Sequence, residues 1–201
     1  MSLRAANQDG RTRTIAKLGT AVTIAYASTY YLPAIVAGQM AASLGVSVST
    51  VFLAFSGALL VSALLGPLAG RLIDDYGGKT VLASTSLVFA AGLAALSAAQ
   101  GPISLFLAWL LIGIAMASGF YEAAFSTLVR IYGAGSRPLI TGITLIGGFA
   151  STIGWPLTTW LSAEFGWRGA CLAWAGIHIL LALPLNLLLP TLKVAGEAPA
   201  H

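Results

Sequence analysis

Long apolar stretches alternate with short polar breaks along the whole chain. Each stretch is about twenty residues long, enough for an α-helix rising about 1.5 Å per residue to cross a hydrocarbon layer of about 30 Å. The breaks are too short to separate two domains, so consecutive helices are expected to pack antiparallel. The pattern predicts an all-α integral membrane bundle of six transmembrane helices, over Leu18–Ala42, Val51–Leu72, Thr80–Ala99, Ile103–Ile131, Leu139–Leu161 and Gly169–Leu189.

The composition indicates that the lipid bilayer is the solvent of this chain. Of its 201 residues, 58% are hydrophobic and only 8% are charged, whereas a soluble domain carries about a quarter charged residues. The net charge of +4 does not indicate nucleic acid, because the basic residues are scattered between apolar segments. Cys171 is the single cysteine and offers neither an internal disulfide nor a metal cluster, so we predict no metal and no cofactor. The apolar stretch from Leu18 to about Leu44 is too long for a signal peptide, which favours a retained first span.

Lysine and arginine are distributed unequally between the two predicted sides of the membrane. Of the ten, only Arg168 falls on one side. Because basic residues concentrate on the cytoplasmic side, we predict that both termini are cytoplasmic, with a basic tail over 1–17, the six-helix bundle over 18–192 and a second tail over 193–201. We expect the protein to lie in a bacterial inner membrane. The cytoplasmic set is Arg4, Arg11, Arg13, Lys17, Arg71, Lys79, Arg130, Arg137 and Lys193.

The second half of the chain repeats the first. A shift of 89 positions overlays the segment starting at Pro67 on the one starting at Pro156, and a shift of 90 overlays the segments starting at Ala25 and Ala115. The repeats cover about 18–99 and 103–192. Because each holds three predicted spans, an odd number, they enter the membrane from opposite sides and form a 3+3 inverted repeat of the kind found in secondary transporters. Matching pairs include Tyr30/Phe120, Tyr31/Tyr121, Tyr76/Phe165, Gly77/Gly166 and Lys79/Arg168.

Small residues recur at every fourth position on two predicted helices. Ser62, Gly66 and Gly70 lie on the second helix, and Gly113 and Ala117 lie on the fourth. This spacing allows helix backbones to approach closely in lipid. We therefore predict close helix packing along both stripes.

The loop after the second helix reads G-R-L-I-D-D-Y-G-G-K. It resembles the G-x-L-x-D-x-x-G signature, followed by basic residues, of the major facilitator superfamily of secondary transporters. Two departures are Asp75, at a place usually basic, and Gly78, where an arginine is usual. The resemblance covers essentially the whole chain and is to the N-terminal six-helix half of the family only. It implies that the loop is a cytoplasmic gating latch whose aspartate pairs with basic groups, and the matching residues are Gly70, Leu72, Asp74, Gly77 and Lys79.

The same resemblance implies that the first and fourth helices line a central cavity. Glu122 lies about nine residues from the cytoplasmic end of its helix, or about 13 Å, at a depth where a carboxylate costs a few kcal/mol and usually faces a cavity or a partner. It is the candidate for proton coupling; the alternative is a protonated Glu122 hydrogen-bonded to a tyrosine hydroxyl. The aromatic candidates either bind substrate or serve as packing residues. Together the predicted cavity residues are Tyr26, Tyr30, Tyr31, Tyr121 and Glu122.

Three functions are compatible with the sequence. The first is a half-length secondary transporter that moves a small neutral or cationic solute by alternating access and needs a second six-helix bundle, from a homodimer or a partner chain. The second is a non-transporting membrane subunit, favoured because Trp109 stands where the resemblance implies an arginine. The third is a truncated fragment of a twelve-helix transporter. An enzyme is not expected, because the ionisable residues inside the spans are essentially Glu122 and His178, and His178 is predicted to be a hydrogen-bonded structural residue.

Overall fold

The computed structural model describes residues 3–190, and these are helical almost throughout. Two π-helical segments, Tyr26–Tyr30 and His178–Ala182, and a short 3₁₀ segment, Gly133–Ser136, connect the α-helices. The predicted C-terminal tail, with Lys193, lies outside the described residues. The α-helices are α1 Leu3–Ala25, α2 Leu32–Leu44, α3 Val48–Tyr76, α4 Gly78–Ser97, α5 Pro102–Gly119, α6 Tyr121–Tyr132, α7 Arg137–Gly147, α8 Ala150–Ile177 and α9 Leu183–Leu187.

Within residues 3–190, four helical stretches are long and apolar enough to cross a membrane: Gln8–Leu44, Val48–Tyr76, Gly78–Ser97 and Pro102–Leu187. The last contains 86 residues, which at helical rise is about 130 Å and far exceeds one crossing of about 30 Å. The protein is therefore an integral membrane protein. The total of six crossings stays a prediction.

Two glycines at repeat-related positions turn the chain in a similar way. Gly77, between α3 and α4, has φ 82° and ψ 147°, and Gly166, inside the long helix α8, has φ 68° and ψ 173°. Positive φ is readily adopted only by glycine. The N–H of Gly77 still donates to the carbonyl of Ile73 at 2.9 Å, which closes α3. Each glycine thus separates two helical directions.

The predicted first and fourth spans are each interrupted near their middle. In the first, α1 passes into the π-helical segment, where the N–H of Tyr31 donates to the carbonyl of Tyr26 at 3.1 Å, and α2 begins only at Leu32. In the fourth, Phe120 is extended, with φ −93° and ψ −168°, and separates α5 from α6. The N-terminal segment predicted as a tail is helical from Leu3 and continuous with the first span.

The core consists of two clusters of buried apolar side chains that share Tyr26 as a packing partner. The larger contains Leu32, Trp109 and Trp174, and the smaller lies around Leu18. Among the helices, α3 packs on α5, α4 packs on α5 and α8, and α1 packs on α7. This arrangement brings the two interrupted spans to one side of the bundle's interior.

The two small-residue stripes have different environments. A Cβ on Gly113 would lie 2.5 Å from the carbonyl oxygen of Ala58, so α5 approaches the backbone of α3 closely, as predicted. A Cβ on Gly66 or Gly70 would have no atom within 4 Å. The prediction of close packing along the stripe of α3 is therefore wrong for contacts within this chain.

Candidate functional site

A cavity of about 330 Å³ lies between the π-helical segment, α3, α5 and the start of α6. We call it the central cavity. Its volume falls in the range of sites that hold small molecules. It opens at the bundle's side rather than being enclosed, because Ala63 of α3 and Tyr30 are exposed. The lining residues are Tyr26, Tyr30, Leu59, Ser62, Ala63, Gly66, Met116, Ala117, Phe120 and Glu122.

One wall of the central cavity is aromatic. The rings of Tyr26 and Phe120 are stacked, with centroids 4.0 Å apart and planes 13° apart. Tyr30 meets Tyr26 edge-on at 5.8 Å and also Phe55 at 5.8 Å. Tyr30 remains 43% exposed, so its ring is available to a ligand while the stacked pair forms a fixed surface. Single-turn π segments of this kind occur frequently at functional sites.

Glu122 reaches the central cavity from the first turn of α6, directly after the extended residue Phe120. The amino end of a helix carries partial positive charge, which is a favourable neighbour for a carboxylate. Glu122 is exposed, and among residues 8–190 it forms no hydrogen bond and no ion pair. The alternative of a hydrogen bond from a tyrosine hydroxyl to Glu122 is therefore not seen in this conformation.

Two of the predicted cavity residues lie beside the cavity rather than on its lining. Tyr121 stacks on Phe125 at 5.4 Å, and its hydroxyl occupies the space that a Cβ on Gly147 would need. Tyr31 meets Tyr30 edge-on at 5.4 Å. The geometry thus brings together Tyr26, Tyr30 and Glu122 from the predicted set.

The lining contributed by α3 and α5 was not part of the sequence prediction. Ser62 and Gly66 lie on α3, and Met116 and Ala117 lie on α5. The four-residue spacing of small side chains marked three of these four positions, but it was interpreted as a packing stripe. Small side chains here leave room for the cavity.

The predicted latch loop joins the ends of two helices. The guanidinium of Arg130, near the end of α6, donates to the carbonyl of Asp74, and its Nη1 lies 3.7 Å from the Asp74 carboxylate. The Asp74 side chain is 74% exposed, so the ion pair contributes about 1 kcal/mol or less. Lys79 lies in the first turn of α4. The loop therefore has an aspartate paired with a basic group, in a contact weak enough to break.

His178 and Trp109 are buried in the bundle. The Nε2 atom of His178 lies 2.9 Å from Oγ of Ser28, and its ring stacks on Phe89 at 4.8 Å. This confirms the hydrogen-bonded histidine that the sequence predicted. Trp109, fully buried, meets Phe55 edge-on at 5.3 Å, so the position where an arginine was implied is occupied by an apolar packing residue.

An apolar helical bundle with a cavity that a carboxylate lines is typical of membrane proteins of the solute-transport class, in which such residues mark substrate or ion pathways. The profile of the Major Facilitator Superfamily matches residues 18–200, and the chain belongs to this superfamily. The resemblance noted from the loop after the second predicted helix is thereby confirmed.

Several curated proteins are similar over part of their length. An uncharacterized 38 kDa protein of a 23S RNA operon from Thermoproteus tenax is 30% identical over 77% of this chain and 40% of its own. Monocarboxylate transporter 3 of Rattus norvegicus is 32% identical over 56% of this chain and 23% of its own. Multidrug resistance protein MdtH of Aeromonas salmonicida is 28% identical over 65% of this chain and 33% of its own length. The chain thus spans between about a quarter and two fifths of the length of these relatives.

Proposed function

We propose that this chain is one six-helix bundle of a proton-coupled secondary transporter, which moves a small solute by alternating access together with a second six-helix bundle. The observation that carries the proposal is the central cavity, which joins an aromatic wall to the carboxylate of Glu122 and is open along α3. Alternating access needs two bundles that rock around one site. The chain supplies one half of such a site.

Three features support a 3+3 inverted repeat. Gly77 and Gly166, related by the shift of 89, both have positive φ. The interruptions near Tyr31 and Phe120 fall at nearly equivalent positions of the two repeats. The packing between the two repeats is also reciprocal. The first span of the first repeat, through α1, packs on α7 of the second, and the first span of the second repeat, through α5, packs on α3 of the first. Two related three-helix units explain all three features at once.

The second bundle is expected to cover α3 and the opening of the central cavity. The helix exposes several large apolar side chains, among them Leu60, Leu64 and Leu68. Lipid alone satisfies these side chains, but it does not provide the opposite wall of a solute site. A Cβ on Gly66 has no neighbour within 4 Å, which leaves room for a close-packed helix from a second copy or a partner chain.

In mild detergent, the purified full chain is therefore expected to have twice the mass of one polypeptide, or to retain a second membrane protein. Light scattering coupled to size exclusion measures this mass after the detergent contribution is subtracted. A single polypeptide with no companion, at every concentration tested, contradicts the second bundle.

We also propose that both ends of the chain face the cytoplasm, with the protein in a bacterial inner membrane. The support is the nine-to-one distribution of lysine and arginine described above. A fluorescent protein fused to the C-terminus is expected to be bright, and alkaline phosphatase fused there is expected to be inactive. An active phosphatase fusion contradicts the orientation and, with it, the even number of crossings.

The lining of the central cavity favours a neutral or cationic solute. Aromatic faces such as those of Tyr26 and Tyr30 attract cations, and Glu122 supplies a negative charge, while the described lining contains no basic side chain. An anionic monocarboxylate is disfavoured by the same charge. Measuring the uptake of ethidium and of lactate into vesicles tests the cationic class of solute against the anionic class.

One observation favours a second candidate, a membrane subunit that assembles without transporting. Trp109 is fully buried against Phe55 where the family resemblance implies an arginine, so no cationic side chain enters the interior at this position. This candidate predicts stable co-purification with a complex and no flux of any solute tested.

A further inference from the structure

A second cavity lies against the middle of α1, between Gly10 and Lys17, where α6 and α9 end. It measures about 290 Å³ and is separate from the central cavity. We call it the basic pocket. Three of its side chains are cationic, Arg11, Arg13 and Lys17, and its other walls include Tyr132 and Leu188.

The cations of the basic pocket are held in place by neutral partners. The guanidinium of Arg11 lies over the ring of Tyr132, 5.8 Å from its centroid, and its Nε is buried with no hydrogen-bond partner among residues 8–190. The Nζ of Lys17 donates to the carbonyl of Leu188 at 2.7 Å. An ammonium has three donors, so two remain for a ligand. Neither contact neutralises the charge.

Among the described residues, Arg13 alone of these three cations has an acidic partner, Asp9, at 2.8 Å. This ion pair is exposed, with side-chain exposures of 71% and 52%, so it is weak, but the Asp9 charge still offsets one of the three cations. The described side chains at this cavity therefore carry a net charge of +2. An anion with several acceptor oxygens suits this set of donors, because arginine and lysine both bind phosphate well.

The basic pocket lies where the apolar spans end. Thr14 is buried and shares a hydrogen bond of 3.0 Å with the Tyr132 hydroxyl, and Leu18 is fully buried, so the bundle interior begins within one turn of Lys17. Leu188 is 62% exposed. Tyrosine together with basic side chains at this level is typical of the lipid headgroup region. A ligand here can have a charged head and an apolar remainder.

We propose that the basic pocket binds a phosphate group, carried either by the headgroup of an anionic phospholipid or by free phosphate. Arg11 and Lys17 donate to the phosphate oxygens, and Arg13 adds charge at the rim. Since the pocket joins the middle of α1 to the end of α9, the bound phosphate ties the first and last described helices together at one membrane surface. The exposed apolar side chain of Leu188 favours the lipid as the source.

Native mass spectrometry of the detergent-purified full chain tests this site, with phosphatidylglycerol, phosphatidylcholine and inorganic phosphate as the three probes. The double variant Arg11→Gln/Lys17→Gln is expected to weaken phosphatidylglycerol binding by about tenfold or more, because it removes two of the three cationic side chains that line the pocket. The matched control is Arg71→Gln/Lys79→Gln, which removes the same charge at the latch loop. It is expected to bind phosphatidylglycerol like the wild type.

Two results support the phosphate site and distinguish its source. If millimolar phosphate does not displace bound phosphatidylglycerol, the pocket is a lipid site. If millimolar phosphate does displace it, the pocket is a site for free phosphate. Equal binding of phosphatidylglycerol by the double variant and the wild type, or binding of phosphatidylcholine as tightly as phosphatidylglycerol, overturns the proposal.

A second variant keeps the test independent of folding defects. Asp9 is exposed and, within the part of the chain that the structure describes, pairs with Arg13 alone, so Asp9→Asn removes a carboxylate beside the pocket without disturbing the interior. It is expected to strengthen phosphatidylglycerol binding several-fold. Unchanged or weaker binding by Asp9→Asn also contradicts the proposal.

Discussion

Replacing Glu122 with glutamine is expected to abolish proton-driven uptake by the reconstituted protein. The amide keeps the size and polarity of the side chain in the central cavity but cannot bind and release a proton. We expect the rate of uptake to fall by about tenfold or more, the change that about 1.4 kcal/mol in the barrier produces. The measurement is ethidium uptake into proteoliposomes under an imposed pH gradient of either direction, with lactate as the parallel anionic probe.

The matched control for Glu122 is Glu164→Gln. Glu164 is also an exposed glutamate, but it lies in α8 and does not line the central cavity. Its glutamine variant is expected to transport like the wild type, and Glu122→Asp is expected to retain pH dependence because the carboxyl group is kept. Uptake that responds to pH in the same way before and after Glu122→Gln removes the proton role from this residue.

Filling the central cavity from α3 is expected to stop transport without unfolding the protein. A Cβ on Gly66 has no atom within 4 Å, so a leucine side chain can start from this position without a backbone clash, and we expect it to extend into the cavity or against the second bundle. Its unfolding temperature is expected to stay level or rise slightly, because replacing a helix-interior glycine gains up to about 1 kcal/mol. Uptake by Gly66→Leu is expected to fall to the level of empty liposomes.

Two further glycines provide the comparison for Gly66. At Gly113 a Cβ would lie 2.5 Å from the carbonyl oxygen and 2.8 Å from the Cα of Ala58, which are backbone atoms. Gly113→Leu is therefore expected to cost about 1–3 kcal/mol or more through overpacking, seen as early thermal aggregation in fluorescence-detected size exclusion. Gly176 has an equally free Cβ on a different helix, and Gly176→Leu is expected to be neutral in both assays. Normal uptake by Gly66→Leu contradicts the proposed role of this cavity.

The small-residue stripes show where sequence reasoning reaches its limit. The four-residue spacing is the same at Gly66 and at Gly113, and in both cases it marks a helix face with little side-chain bulk. Only the packing of α3 on α5 decides that the face of Gly113 touches a neighbour and that of Gly66 does not. Spacing identifies the face, and the tertiary arrangement identifies what lies opposite.

The tyrosines illustrate the same limit at the candidate site. Sequence reasoning selected them because they lie in the repeated patch, and the geometry places Tyr26 and Tyr30 on the cavity lining but Tyr31 and Tyr121 beside it. The difference arises from the π-helical segment and the extended residue Phe120, which change the direction of the side chains that follow them. The first interruption has a local signal in Pro33, the second residue of α2, whereas no proline marks the second, at Phe120, and the continuous helical pattern conceals it.

The amino-acid sequence by itself determined the environment, the helical class and the superfamily of this protein. These follow from composition, the length of apolar stretches and the loop from Gly70 to Lys79, all of which are visible in the order of residues along the chain. Only the tertiary structure decided where the fourth span is interrupted, which side chains line the central cavity and which cations meet at the basic pocket. Those properties depend on contacts between residues far apart in the chain, such as Lys17 with Leu188 and Arg11 with Tyr132, which no local pattern specifies.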